Sequence, residues 1–173
     1  MAERKGFEPL VPCGTPLFES GQFNHSCTSP RSTYFNRLAY TDGMSDSIFT
    51  KIINGDIPSH KIYEDEHTFA FLDIHPITPG HTLVVPKKQV EYVWDLDDES
   101  YQQLQASVKK IATHLREVLN VPYVGEQIIG VDVPHAHIHL IPFTNVIDYH
   151  NHPDSTAQPN HQELAALAEK LAF

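Results

Sequence analysis

Cysteine is almost missing from this chain of 173 residues: Cys13 and Cys27 are the only two, and both lie in the first 43 residues. Any disulfide is therefore confined to that segment, and two cysteines alone provide no metal-ligand spacing. A cysteine-free remainder suits a reducing compartment, so the expected location is cytoplasmic. No apolar run approaches the roughly 20 residues that a helix needs to cross a bilayer, and no membrane partner is expected. Basic residues are outnumbered, with 12 Lys and Arg against 22 Asp and Glu. The resulting net charge of −10 argues against nucleic acid as a partner held by a basic surface, while a small anion can still find a local site.

The charge is unevenly placed. Residues 1–43 hold four basic and four acidic side chains, so the whole imbalance, 8 against 18, belongs to residues 44–173. Met1 and Met44 are the only methionines. Residues 1–43 read as a leader, disordered or an extension upstream of a start at Met44; early glutamates and the lack of an apolar core argue against a signal peptide. Residues 44–173 read as one domain.

Within that domain the spacing predicts a short helix capped by Ser45 or Ser47, with Ile48, Phe49, Ile52 and Ile53 inward and Gly55 ending it. Strands follow at Lys61 to Glu64, Thr68 to Ile74 and Thr82 to Pro86. Residues 97–119 carry Tyr101, Leu104, Val108, Ile111, Leu115 and Val118 at spacings of three and four, the period of an amphipathic helix, with His114 at its boundary. Two more strands are expected at Tyr123 to Ile129 and His135 to Ile141. Asn160 and Glu163 form a capping-box pattern ahead of Leu164, Leu167 and Leu171. Five short strands with one long and shorter helices predict an α+β fold, an antiparallel sheet carrying its helices on one side. His150, His152 and His161 sit among Asn, Pro, Asp and Ser, and read as a solvated loop rather than a metal site.

The stretch that carries chemistry is Pro134-His135-Ala136-His137-Ile138-His139-Leu140-Ile141. An extended chain turns alternate side chains to opposite faces, so the three imidazoles share one face while Ala136, Ile138 and Leu140 enter the other. Two chemistries fit. Alternate histidines can hold zinc with one position open to water. Alternatively one imidazole attacks phosphorus while its neighbours orient it and deliver protons. Spacing alone leaves both open.

Upstream stand the runs Ile48 to Pro58 and Phe69 to Lys87, the latter containing Asp73-Ile74-His75-Pro76 and Pro79-Gly80-His81-Thr82. With the histidine run they resemble, in order and separation, the histidine triad (HIT) family across residues 46–142. The resemblance implies the HIT fold, usually a homodimer, and a nucleotide hydrolase needing neither cofactor nor metal. It implies His137 as the nucleophile that takes a nucleotidyl group from a purine nucleotide, flanked by His135 and His139, with His81 as the family's fourth histidine. Asp73 matches the carboxylate that accepts the ribose hydroxyls, and Phe49, Ile52, Phe71 and Ile74 match the apolar lining of the base pocket. His139 argues for hydrolase over nucleotidyltransferase. The Phe49 to Pro58 run looks more like the Hint-like phosphoramidase branch than the Fhit-like branch, which cleaves dinucleoside polyphosphates. Two departures stand out. Asp132 replaces a small hydroxyl residue three positions before the first triad histidine, and Val121 to Val131 offers only Gln127 as a side-chain amide. Both raise the reading of a nucleotide-binding regulatory protein with little catalysis.

Overall fold

The structure is a computed structural model and describes residues 45–154 and 156–173. The leader 1–43 lies outside the described residues. Helix α1 (Ile48–Ile53) starts at Ser47, whose side chain accepts from the Thr50 amide, and its Phe49 is buried. Strands β1 (Lys61–Glu64), β2 (Thr68–Leu72) and β3 (Thr82–Pro86) follow. Then come α2 (Asp98–Leu119), β4 (Tyr123–Gln127) and β5 (Ile138–Phe143), and finally α3 (Val146–Tyr149) and α4 (His161–Leu171). The strands form one antiparallel sheet in the order β1-β2-β3-β5-β4, the α+β architecture expected. None of the described helices is long and apolar enough to cross a membrane.

Helix α2 obeys its sequence closely. Asp97 caps it by accepting from the Ser100 amide, Asp98 and Glu99 sit at its positive end and Arg116 at its negative end, each placement favourable to the helix dipole. Asn120 ends it in the left-handed conformation, φ 53°, which asparagine tolerates better than most residues. Leu104, Val108, Ile111 and Leu115 of its inner stripe pack with Ala70, Leu72, Val84, Ile138 and Leu140 of the sheet, and α4 joins them through Leu164, Ala168 and Leu171. Asn160 caps α4 by accepting from the Glu163 amide. The C-terminal residue locks this layer to β1: the Phe173 amide donates to the Ile62 carbonyl, and its ring stacks on Tyr63 and His114.

The helices do not all lie on one side. Phe69 and Phe71 of β2 and Leu83 and Val85 of β3 point to the opposite face and also need cover, which Phe49 supplies with Ile52 and Ile53 beside it. Helix α1 thus makes a second apolar layer. Ile48 does not take part, being 49% exposed; a six-residue helix carries only a narrow inner stripe, and Phe49 and Ile52 fill it.

Several strand limits also differ from expectation: β4 stops at Gln127 rather than Ile129, β5 runs on to Phe143 rather than Ile141, and two further limits bear on the site. Strand β2 stops at Leu72, and Asp73 lies just beyond it, its amide donating to the His81 carbonyl. Strand β5 begins at Ile138 rather than His135. Its pairing with β3 runs Thr82↔Leu140, Leu83↔His139, Val84↔Ile138, and continuing it would bring in Pro86, which has no amide hydrogen to donate. The Ala136 amide donates instead to the Val90 carbonyl, 2.6 Å away. The alternation survives the lost pairing, because Ala136 is in the α2-facing core while His135 and His137 lie against Phe49.

The Pro76 to Gly80 loop, which delivers His81, is tied down at Gly80. That residue has φ +89°, and a Cβ there would stand 2.6 Å from Leu119 Cδ1; glycine alone meets both demands. Thr78 Oγ1 donates to the Pro142 carbonyl and fixes the same loop against β5.

Candidate functional site

The three triad histidines occupy one line, and their hydrogen-bond partners assign each ring's proton. His137 Nδ1 lies 2.7 Å from the His135 carbonyl oxygen. A carbonyl can only accept, so Nδ1 carries the proton and Nε2 keeps its lone pair. His135 is buried completely. Its Nε2 donates to the Pro86 carbonyl at 2.8 Å, and its Nδ1 accepts from Ser47 Oγ at 2.8 Å. Ser47 Oγ in turn accepts from the Thr50 amide, and Thr50 Oγ1 donates to Gln89 Oε1, which also receives the Ser47 amide. His135 therefore holds its neighbour through its backbone, while its own ring is braced from α1 and the loop after β3.

On the other side of His137 the proton order reverses. The Ile77 amide donates to His81 Nδ1 at 3.2 Å, so the His81 proton sits on Nε2, which donates to His139 Nδ1 at 3.0 Å. The His139 proton is left on Nε2. Burial pushes both imidazoles down from their ordinary 6.5 to about 4, because a low-dielectric site disfavours the cation. Burial also lowers His135. The His137 ring lies edge-on to Phe49, 5.2 Å between centroids, and 5.0 Å from His139.

Asp73 sits at the end of this line. Its Oδ1 accepts from the His75 amide at 2.9 Å, and its Oδ2 is 3.7 Å from His81 Nδ1. Burial raises its pKa, against the His75 amide and nearby histidines that favour the ionised form.

A cavity of about 400 Å³ opens over His137 and His139, with Asp73, His81, Gln127 and Asp132 also in its wall. His135 is behind it. Phe49, Phe71 and Ile52 belong to the apolar layer under the triad. Ile74 is apart from them, 45% exposed, and faces a neighbouring cavity of about 290 Å³ beneath α4.

Sequence reasoning missed several residues of this site. Ser47 was legible only as a cap, and its role behind His135 depends on a contact between residues 88 apart. Gln89 carried no signal. His150 and His152 are exposed, as a solvated loop requires, and with Asn151 they also line the triad cavity. Tyr149 carries them there, its ring 4.9 Å from Phe143 at the end of β5. His161 pairs with His60 away from the triad, Nδ1 to Nε2 at 3.1 Å.

The triad does not converge as metal ligands, because both His135 nitrogens and His137 Nδ1 are committed to protein groups. Among the described residues the group of three with metal-ligand geometry is Asp73, His81 and His139, their ligand atoms within 4.8 Å of one another. A cation there would displace the Ile77 to His81 to His139 hydrogen-bond order.

Comparison with known proteins agrees with this geometry. The family model for the HIT domain matches residues 54–146. The protein named hit of Bacillus subtilis is 48% identical over 100 residues, covering 55% of this chain and 69% of its own length. The adenosine 5′-monophosphoramidase hnt1 of Schizosaccharomyces pombe is 35% identical over 131 residues, covering 72% of this chain and 95% of its own. The crystal structure of a Hit-like protein involved in cell-cycle regulation from Bartonella henselae superposes with a TM-score of 0.63 at 30% identity, covering 73% of this chain and 94% of that one.

Proposed function

The chain belongs to the HIT domain family, and from that premise we propose that it is a purine-nucleotide phosphoramidase acting through a nucleotidyl intermediate on His137. The observation that carries the reading is the opposed placement of two protons. His137 points its hydrogen back at the His135 carbonyl, which frees Nε2 to attack. His139 receives the His81 proton on Nδ1, which leaves its own hydrogen on Nε2 for a leaving group.

In the first step His137 Nε2 forms a bond to the α-phosphorus, the phosphorus–nitrogen bond breaks, and the departing nitrogen takes the His139 Nε2 proton. The His137 ring becomes cationic, and its Nδ1–H to the His135 carbonyl turns into a charge-assisted hydrogen bond. Ser47 and the Pro86 carbonyl keep the His135 ring, and with it that carbonyl, in place. In the second step water attacks phosphorus and gives a proton to His139, His137 leaves, and a nucleoside monophosphate is released. His139 keeps Nδ1 engaged with the His81 Nε2–H throughout, so the proton it gives to the leaving group and then recovers from water is the one on Nε2. Asp73 accepts the ribose hydroxyls, and the Phe49 and Phe71 layer supports the base. We take the working unit to be a cytoplasmic homodimer, with sedimentation equilibrium as the check.

Rapid quenching with a labelled adenosine phosphoramidate should trap an acid-labile, base-stable nucleotidyl adduct on His137. His137→Ala should lower turnover by several orders of magnitude with nucleotide binding largely retained. Near-normal turnover by that variant refutes the assignment. A second reading, a nucleotide-binding regulatory protein, has Asp132 in the cavity wall as its motive; tight nucleotide binding without turnover selects it.

A further inference from the structure

The triad cavity has an unusual electrical balance for a site that binds a phosphate ester. Neither lysine nor arginine is among the residues lining it, while two carboxylates, Asp73 and Asp132, are. A polyphosphate substrate is ordinarily met by Arg, Lys or a metal ion. Asp73 has the ribose as its business. Asp132, in the loop that follows β4, is left without such a role.

That loop is held in shape. Gly130 turns it at φ +68°, and a Cβ there would stand 2.5 Å from the Tyr92 ring, whose hydroxyl also reaches the Ile129 carbonyl at 3.4 Å. The turn presents Ile129 and Val131 to the cavity, 49% and 80% exposed, with Asp132 next to them. Exposed aliphatic side chains beside a carboxylate are the features that recognise an alkyl stem ending in a cation: the stem removes apolar surface from water and the charge meets its opposite. Asp132 shares the cavity lining with His139, the ring that passes its proton to the leaving group, and its charge favours protonation of that ring, though less than that of Asp73.

We propose that Ile129, Val131 and Asp132 form a leaving-group subsite that selects amines bearing an aliphatic stem and a second, cationic amine, and that disfavours polyphosphate leaving groups. The inference rests on the phosphoramidase reading and adds to it the substrate class of the same site. Bond changes are those given above: the phosphorus–nitrogen bond breaks, the departing nitrogen takes one proton from His139, and the distal ammonium keeps its own. His75, His150 and His152 also line this cavity, and a positive charge on any of them would oppose the ammonium.

The test uses the full chain at pH 8, above the ordinary histidine range. The substrates are two adenosine 5′-phosphoramidates, one of butylamine and one of 1,4-diaminobutane, with diadenosine triphosphate as the anionic case. The diamine ester should show a kcat/KM about fivefold above the butylamine ester, the size expected of one solvent-facing charge pair. The preference should shrink toward unity in Asp132→Asn and in 0.5 M NaCl, where exposed charges are screened. Diadenosine triphosphate should be the poorest of the three and should gain in Asp132→Asn. Equal turnover of the two esters, or a preference that Asp132→Asn leaves intact, overturns the subsite while the hydrolase reading stands. Failure to turn over either ester overturns both.

Discussion

Stability between pH 7 and pH 5 should depend on one buried ring. His81 is 2% exposed, and burial holds its imidazole at about 4 against an ordinary 6.5. Its Nδ1 accepts from Ile77 and its Nε2 donates to His139, so a second proton would displace the Ile77 amide, and the Asp73 carboxylate 3.7 Å from Nδ1 does not offset the burial. The folded value lies below the unfolded one, so between pH 6.5 and 4 the unfolded chain binds more protons. Stability that is fully present above the upper limit is therefore lost as pH falls through the window. At about 1.4 kcal/mol per unit, lowering the pH to 5 costs about 2 kcal/mol for one independent group. His139 shifts in the same direction for the same reason, but the two share a hydrogen bond and titrate as a pair, so their costs do not simply add. The assay is urea unfolding at both pH values for the wild type and for His81→Gln, which retains one donor and one acceptor and does not titrate. The variant starts from lower stability, and its own loss on acidification should be smaller by about 2 kcal/mol. Titrating groups out of contact with position 81 are common to the two proteins and cancel, whereas the shift of His139, to which His81 contributes, changes with the substitution. Equal acid losses in both would refute the placement of a neutral, doubly engaged imidazole at position 81.

Two further outcomes follow from the bracing of His135. Ser47→Ala removes both the cap of α1 and the donor to His135 Nδ1; thermal unfolding should register a loss of about 1–2 kcal/mol, with a fall in kcat larger than any change in KM. Ser47→Thr, which retains the hydroxyl, should recover most of both. Turnover should survive exhaustive chelation, since the His135 nitrogens and His137 Nδ1 are committed to protein partners; activity lost to a chelator and restored by zinc would reverse that reading.

Much of the fold is local in origin, and that part was legible. The stripe of α2 repeats over 22 residues, long enough for a period to stand out from chance, and Asp97 and Asn160 advertise helix starts within three residues of their partners. The strand interiors followed from β-branched and aromatic runs, and the triad's alternation told which side chains would be neighbours. Strand ends were less legible because they depend on the partner strand. Nothing in His135-Ala136-His137 ends β5; Pro86, 50 residues earlier, does so by having no hydrogen to offer Ala136. The placement of His150 and His152 depends likewise on Tyr149 reaching Phe143, a contact that polar loop composition conceals.

The least legible feature is also the one that the chemistry needs most. Three imidazoles on one face are equivalent as sequence, yet an attacking ring and a proton-donating ring must carry their hydrogens on opposite nitrogens. Here the difference originates in the backbone. A carbonyl, that of His135, meets His137 Nδ1 and obliges it to be a donor, whereas an amide, that of Ile77, meets His81 Nδ1 and obliges it to accept. The second constraint passes through His81 Nε2 to His139 Nδ1 and comes out as a proton on His139 Nε2. The Ile77 amide is set by the loop that Gly80 and Thr78 fasten to α2 and β5. The fourth histidine thus converts a loop conformation into the protonation state of the third, and the triad acquires its division of labour from residues outside it.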